Sequence, residues 1–292
     1  MYYTIKNEHL TVVINDHGAE LHSIRTADGT EYLWQGDPAV WTGQAPNLFP
    51  YVARLTDKKF TFEGNEYSMK IHGFINAVDL RVEKAEADRI TFRYDSNEET
   101  LAQFPFDFVY RITYAVEGHV LTVRTDVENP GTKRMFFGLG GHPGFNVPLE
   151  DGLTFEDYCI EFSQPSHPWR VGFTDDCYRN GQDQPYPLKD GVRIPLHHDL
   201  FDHDAIVLKN VDHCVTIRSD KGHRAVRVSY PDFPVIGFWH KPQMEAPYVC
   251  IEPWRSLPSR NGIVEDFAQQ ADLVALDGGK TYTNAWTIEI IE

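Results

Sequence analysis

The sequence has little that would staple, anchor or charge it positively. Its four cysteines, Cys159, Cys177, Cys214 and Cys250, show no CxxC spacing. A chain of 292 residues can bury a core without disulfides, so four reduced thiols are expected. No apolar run approaches the roughly 20 residues of a membrane-crossing helix. Lys and Arg total 27 against 43 Asp and Glu, a net charge of −16. Such a surface repels phosphate backbones and anionic lipid, which argues against nucleic-acid and membrane partners. No basic and apolar leader opens the chain, where Met1 to Lys6 already reads as a strand, and a cytoplasmic protein is expected.

Motifs for several chemistries are missing as well. No GxSxG elbow, Walker A loop or strand-to-helix GxGxxG occurs, which argues against serine-nucleophile and nucleotide chemistry. HExxH and paired Cys/His spacings are absent too. The run His197 to Asp204 gathers three His and three Asp, but a solvated loop entering a strand accounts for it, and no metal is expected. Long helical periodicity is lacking; only Ser96–Gln103 and Gly262–Gln270 read as locally helical. Without strand–helix alternation, parallel α/β architectures lose their support.

What remains is β structure. Eighteen Phe, 14 Tyr and 6 Trp supply a large apolar core. Short β-branched and aromatic runs recur between turn residues, at Leu10–Ile14, Ala205–Leu208, Val215–Ile217, Ala225–Val228, Val235–Trp239 and Tyr282–Ile291. The clearest pair is Phe108–Val116 with Val120–Val127. In the latter, Leu121, Val123, Thr125 and Val127 share one face and Thr122, Arg124 and Asp126 the other. The expectation is an all-β fold, a large antiparallel β-sandwich over residues 1–292 as one domain. Pro165–Pro187, rich in Pro, Asp, Gly and Gln, is expected as a long surface excursion.

Four segments set ionisable groups among glycine, proline or aromatics. Arg54 follows Asn47-Leu48-Phe49-Pro50-Tyr51-Val52-Ala53, where its guanidinium either snorkels to water or donates to a ligand. His72 lies in Ile71-His72-Gly73-Phe74, as a loop residue or a site residue. His142 follows Gly138, Gly140 and Gly141 and precedes Gly144, small residues that permit close approach or simply a tight turn. Glu252 ends the apolar run Tyr248-Val249-Cys250-Ile251, either buried with a tuned acidity or standing in water. A His and a carboxylate that exchange protons is the chemistry these types allow.

Taken in order, these segments resemble the aldose 1-epimerase family, the galactose mutarotase-like group, and within it the LacX-like branch. The likeness runs over nearly the whole chain and includes Phe104-Pro105-Phe106-Asp107-Phe108, Gly141-His142-Pro143-Gly144-Phe145-Asn146 and Cys250-Ile251-Glu252-Pro253-Trp254. It implies a β-supersandwich with an open sugar cleft and a cofactor-free isomerase of the aldose 1-epimerase class. By that resemblance His142 protonates the ring oxygen of a monosaccharide and Glu252 takes the proton of the anomeric hydroxyl. Arg54, His72 and an Asp would hold sugar hydroxyls. Asp202-His203 and Asp204-Ala205 compete for the last place, and Asp204 is expected because it abuts the strand. Trp239, Trp254 and Phe238 are the expected aromatic platform, by residue type.

Two departures separate the chain from galactose mutarotases. Gly141 stands where they commonly carry Asn, and Pro253-Trp254-Arg255 follow Glu252. Two other functions fit the same segments: a non-catalytic sugar-binding or sensing protein, and a hexose-6-phosphate 1-epimerase using Arg255, Arg260 and Lys241. A monomer or homodimer is expected.

Overall fold

The computed structural model describes all 292 residues. Its largest unit is a nine-stranded antiparallel sheet, running in space from Arg193–Pro195 through Tyr158–Phe162, Cys214–Ser219, Ala225–Ser229, Lys280–Ile291, Val120–Asn129, Val109–Glu117 and Arg89–Asp95 to Arg81–Ala85. The predicted hairpin sits at its centre. Gly118 turns it at φ +55°, and Glu117 pairs with Val120. Leu121, Val123, Thr125 and Val127 are buried as the alternation requires, while Arg124 and Asp126 form an ion pair on the outer face.

An eight-stranded sheet packs over it, containing Ile206–Lys209, Val235–Trp239, Tyr248–Trp254, Gly140–Gly141 and Asn47–Leu48, with Gly144–Asn146 also joined to Tyr248–Trp254. One face of this sheet supplies Ile206, Leu208, Ile236, Phe238, Val249 and Ile251 to an apolar cluster shared with Ile217, Val226, Trp286 and Ile288 of the larger sheet. That shared layer makes the fold an all-β sandwich. Period-2 geometry turns Val207, Gly237, Trp239, Cys250, Glu252 and Trp254 to the opposite face. Phe238 therefore belongs to the core, 1% exposed, and not to an aromatic platform.

The helical expectations divide. Within Ser96–Gln103, Glu98–Leu101 forms one α-turn, closed by a capping box between Asn97 and Thr100. Gly262–Gln270 is not helical: Glu265–Asp266 adds a short parallel strand to Lys59–Phe62. Tertiary contacts override local preference there, since Phe267 stacks 3.7 Å from Phe60 and Arg260 holds the Glu265 carboxylate at 2.8 Å. The Pro165–Pro187 excursion is partly sheet, with Trp169–Arg170 and Gln184–Pro185 extending the edge beyond Ile206–Lys209. No helix is long and apolar enough to cross a membrane.

The glycines before His142 are packing requirements. A Cβ on Gly140 would lie 2.7 Å from the Pro253 carbonyl oxygen and 3.2 Å from the Trp254 ring. Because backbone cannot yield as a flexible side chain does, Gly140→Ala is expected to cost about 1–3 kcal/mol. Urea unfolding measures this; an unchanged midpoint would show that the two strands separate without penalty.

Candidate active site

Strand register brings the two principal residues together. Gly140 pairs with Trp254 and Gly144 with Cys250, one continuous alignment that sets His142 opposite Glu252. Directly opposed residues have Cβ atoms roughly 4.5–5.5 Å apart. Here His142 Nε2 lies 3.3 Å from Glu252 Oε2. On the other flank Glu252 pairs with Gly237, whose lack of a side chain leaves space for the Glu252 Cβ and the Trp254 ring. Trp254 Nε1 donates to Glu252 Oε2 at 3.3 Å, so this tryptophan holds the carboxyl as well as lining the cleft.

The pair forms part of the wall of a cavity of about 450 Å³, within the range of small-molecule sites. Arg54, His72, Asp204, Trp239 and Trp254 line it too. Each comes from a separate part of the fold. Arg54 is exposed. His72 sits at φ +64°, and its Nδ1 accepts the Ala53 N–H at 3.2 Å, which leaves the ring proton on Nε2. Asp204 turns into its strand at φ +69°, and its Oδ1 accepts the Ala205 N–H at 2.9 Å. Asp202, by contrast, faces a neighbouring polar cavity of about 600 Å³.

Within the His197–Asp204 run His203 also lines the cavity, while the earlier histidines point elsewhere. His197 contacts Asp199 on the surface, whereas His198 stacks on Phe155 at 4.1 Å and meets buried His240 at 3.2 Å. Arg255, Arg260 and Lys241 do not line the cavity, and Arg260 is committed to Glu265.

Two contributors were not anticipated from the sequence. Trp41 tilts over the His142 ring at 5.1 Å and meets Trp239 edge-on at 5.3 Å. Its only sequence signal is a tryptophan placed outside any strand pattern, two residues before Gly43. Cys177, from the Pro165–Pro187 excursion, lines the cavity and its Sγ contacts Asp204 Oδ2 at 2.8 Å. Burial and that carboxylate push the thiol up to about 12, so it stays protonated as the donor.

Burial dominates the acidities. It pushes the Glu252 carboxyl well above the usual carboxylate range, reinforced by the Asp204 charge and opposed by the Trp254 hydrogen bond. Burial, with His72 beside it, lowers His142 to about 3, and burial with the Arg54 charge lowers His72 to about 4. The common sense of the shifts at His142 and Glu252 favours a pair that carries one proton and no net charge.

The chain belongs to the aldose 1-epimerase family, whose model matches residues 1–284. Within it, the chain is 34% identical over 291 residues to the plasmid-borne protein LacX of Lactococcus lactis subsp. lactis, covering 96% of this chain and 97% of that protein. A galactose mutarotase related enzyme from Lactobacillus acidophilus superposes with a TM-score of 0.95 at 33% identity, covering 99% of this chain and 97% of that one. A galactose mutarotase-like protein from Lactobacillus casei gives 0.93 at 31% identity, covering 99% and 100%.

The lowered histidine has a consequence for stability. Folded His142 binds a proton only near pH 3, whereas the unfolded chain binds it below about 6.5. Folded stability attributable to His142 is therefore present above pH 6.5 and lost as pH falls toward 3. Urea midpoints measured over that range should fall less steeply for His142→Asn than for the native chain. Parallel slopes would contradict the burial of a neutral imidazole.

Proposed function

We propose that the protein is an aldose 1-epimerase that interconverts the α and β anomers of an aldohexose or related neutral sugar. The observation that carries this reading is the His142–Glu252 pair, 3.3 Å apart and recessed in a cavity of about 450 Å³. Mutarotation opens a hemiacetal, rotates C1 about the C1–C2 bond and closes the ring again. Opening delivers a proton to the ring oxygen while another leaves O1. Closure reverses both transfers, so donor and acceptor must exchange roles.

A pair sharing one proton meets that requirement. With the proton on the imidazole, His142 gives it to the ring oxygen as Glu252 takes the O1 proton. After rotation Glu252 returns a proton to the newly formed O1 hydroxyl, and His142 recovers its own. Net charge in the cavity is constant throughout, which avoids creating an uncompensated ion in a buried place. Arg54, Asp204 and the Nε2–H of His72 offer donors and acceptors for sugar hydroxyls, while Trp239 and Trp254 supply apolar surface. The reaction proceeds unaided in water, so one acid and one base, each contributing roughly 10²–10⁴-fold, are sufficient.

Charge favours neutral sugars over phosphorylated ones. Arg54 is the one Lys or Arg side chain lining the cavity, which also carries Glu20 and Asp204 beside the uncharged His142–Glu252 pair. A phosphate dianion would meet more like charge than opposite charge there.

Polarimetry on freshly dissolved α-glucose and α-galactose tests the proposal. The protein should accelerate the approach to equilibrium rotation, and His142→Asn or Glu252→Gln should each lower kcat by about 10²–10⁴-fold. Tight sugar binding by calorimetry with no acceleration for any free or phosphorylated aldose would instead identify a sugar-binding protein.

A further inference from the structure

Beside the proposed acid–base pair lies a third metal-competent group. Cys250 and Glu252 are two residues apart on one strand and project to the same face, and Cys250 pairs with Gly144, two residues beyond His142. One ligand atom from each of His142, Cys250 and Glu252 lies within 4.8 Å of the others. The thiol is fully buried and packs with Trp34, Ala246 and Tyr248 behind the cavity wall, outside the residues that line the cavity.

We propose that this His–Cys–Glu triad is an inhibitory site for a zinc-class divalent cation. The chemistry is specific. Imidazole, thiolate and carboxylate are the three ligand types of tetrahedral zinc, with bonds of roughly 2.0–2.1 Å to nitrogen, 2.3 Å to sulfur and 2.0–2.2 Å to oxygen. Two ligand atoms so bound at a tetrahedral angle stand about 3.3–3.4 Å apart. The His142 Nε2 to Glu252 Oε2 separation is already 3.3 Å, and the sulfur, with the three ligand atoms within 4.8 Å of one another, must close to the roughly 3.5 Å that tetrahedral zinc sets between sulfur and its other ligands. Three protein ligands leave a fourth position for water from the cavity, as in open zinc sites. A mixed sulfur and nitrogen set also selects against magnesium and calcium, which prefer oxygen.

Binding exchanges one charge for another without electron transfer. The divalent cation enters, the Cys250 thiol proton and the pair's shared proton leave to water, and the three ligands close on the ion. While it is bound His142 cannot donate and Glu252 cannot accept, so sugar interconversion stops. Only this last consequence rests on the mutarotase reading; the site itself does not.

Cobalt(II), a spectroscopic stand-in for zinc, separates the two. Titrating the metal-free full-length protein should give one cobalt per chain, with a tetrahedral visible spectrum and a near-ultraviolet thiolate-to-cobalt charge-transfer band. That band should vanish in Cys250→Ala and Cys250→Ser. Zinc affinity, measured by competition with a chromophoric chelator, should fall at least about tenfold in both variants and in Glu252→Gln. Without zinc, the two Cys250 variants should keep native polarimetric rates; with it, they should resist inhibition. Cobalt bound without the thiolate band, or equal zinc affinity in folded native and Cys250 chains, would overturn the proposal. A mutarotase assay that fails for every sugar leaves the cobalt spectrum as the deciding result.

Discussion

The structure depends on holding a carboxyl group and an imidazole face to face almost entirely out of water. Glu252 is 1% exposed and His142 9% exposed, a placement that neither residue type favours alone. Together they limit the cost, because one proton shared between them leaves no uncompensated charge. The surroundings serve this arrangement. Gly237 makes room for the base of the Glu252 side chain, Trp254 donates to its carboxyl, and Trp41 and Trp239 enclose the imidazole. The same burial that unbalances both acidities makes the pair sensitive to any new polar partner brought where water is scarce.

Much of the fold was legible because period-2 alternation is a strong signal when one face of each strand is wet. The Val120–Asn129 strand reads that way along its length. Tyr248–Trp254 does not, since all seven residues are buried, one face by core and the other by the cleft. Alternation in burial is lost there, and only the identity of Glu252 marks the functional side. Phe238 illustrates the same difficulty: beside Trp239 in an apolar run, its residue type suggested a platform, yet strand geometry sends neighbours to opposite faces.

The residues of the site were recognisable in proportion to the distinctiveness of their chain neighbours. His142 and Glu252 stood out by their glycine and apolar contexts, and their order matched a family. Asp204 was preferred to Asp202 for its place beside a strand, and it is Asp204 that lines the cavity holding His142 and Glu252. Trp41 and Cys177 were not legible, since their importance arises from long-range approach: one ring leaning on His142, and one thiol 27 residues away in sequence contacting Asp204. The Gly262–Gln270 segment failed for a related reason, as Arg260 and Phe60 impose an extended backbone that local preference does not indicate.

The alignment of Gly140 with Trp254 and Gly144 with Cys250 has a further implication for how the molecule acquires its competence. A slip of one residue in that pairing would reverse every side chain of the strand, sending Glu252 toward the apolar layer and Val249 and Ile251 into the cleft. No intermediate arrangement is available, because the repeat along a strand is two residues. A molecule that has zipped out of step by one residue thus lacks the His142–Glu252 pairing, whatever compactness or strand content it has gained. The pairing of these two side chains would then count correctly threaded chains one by one, a strict census of folding fidelity.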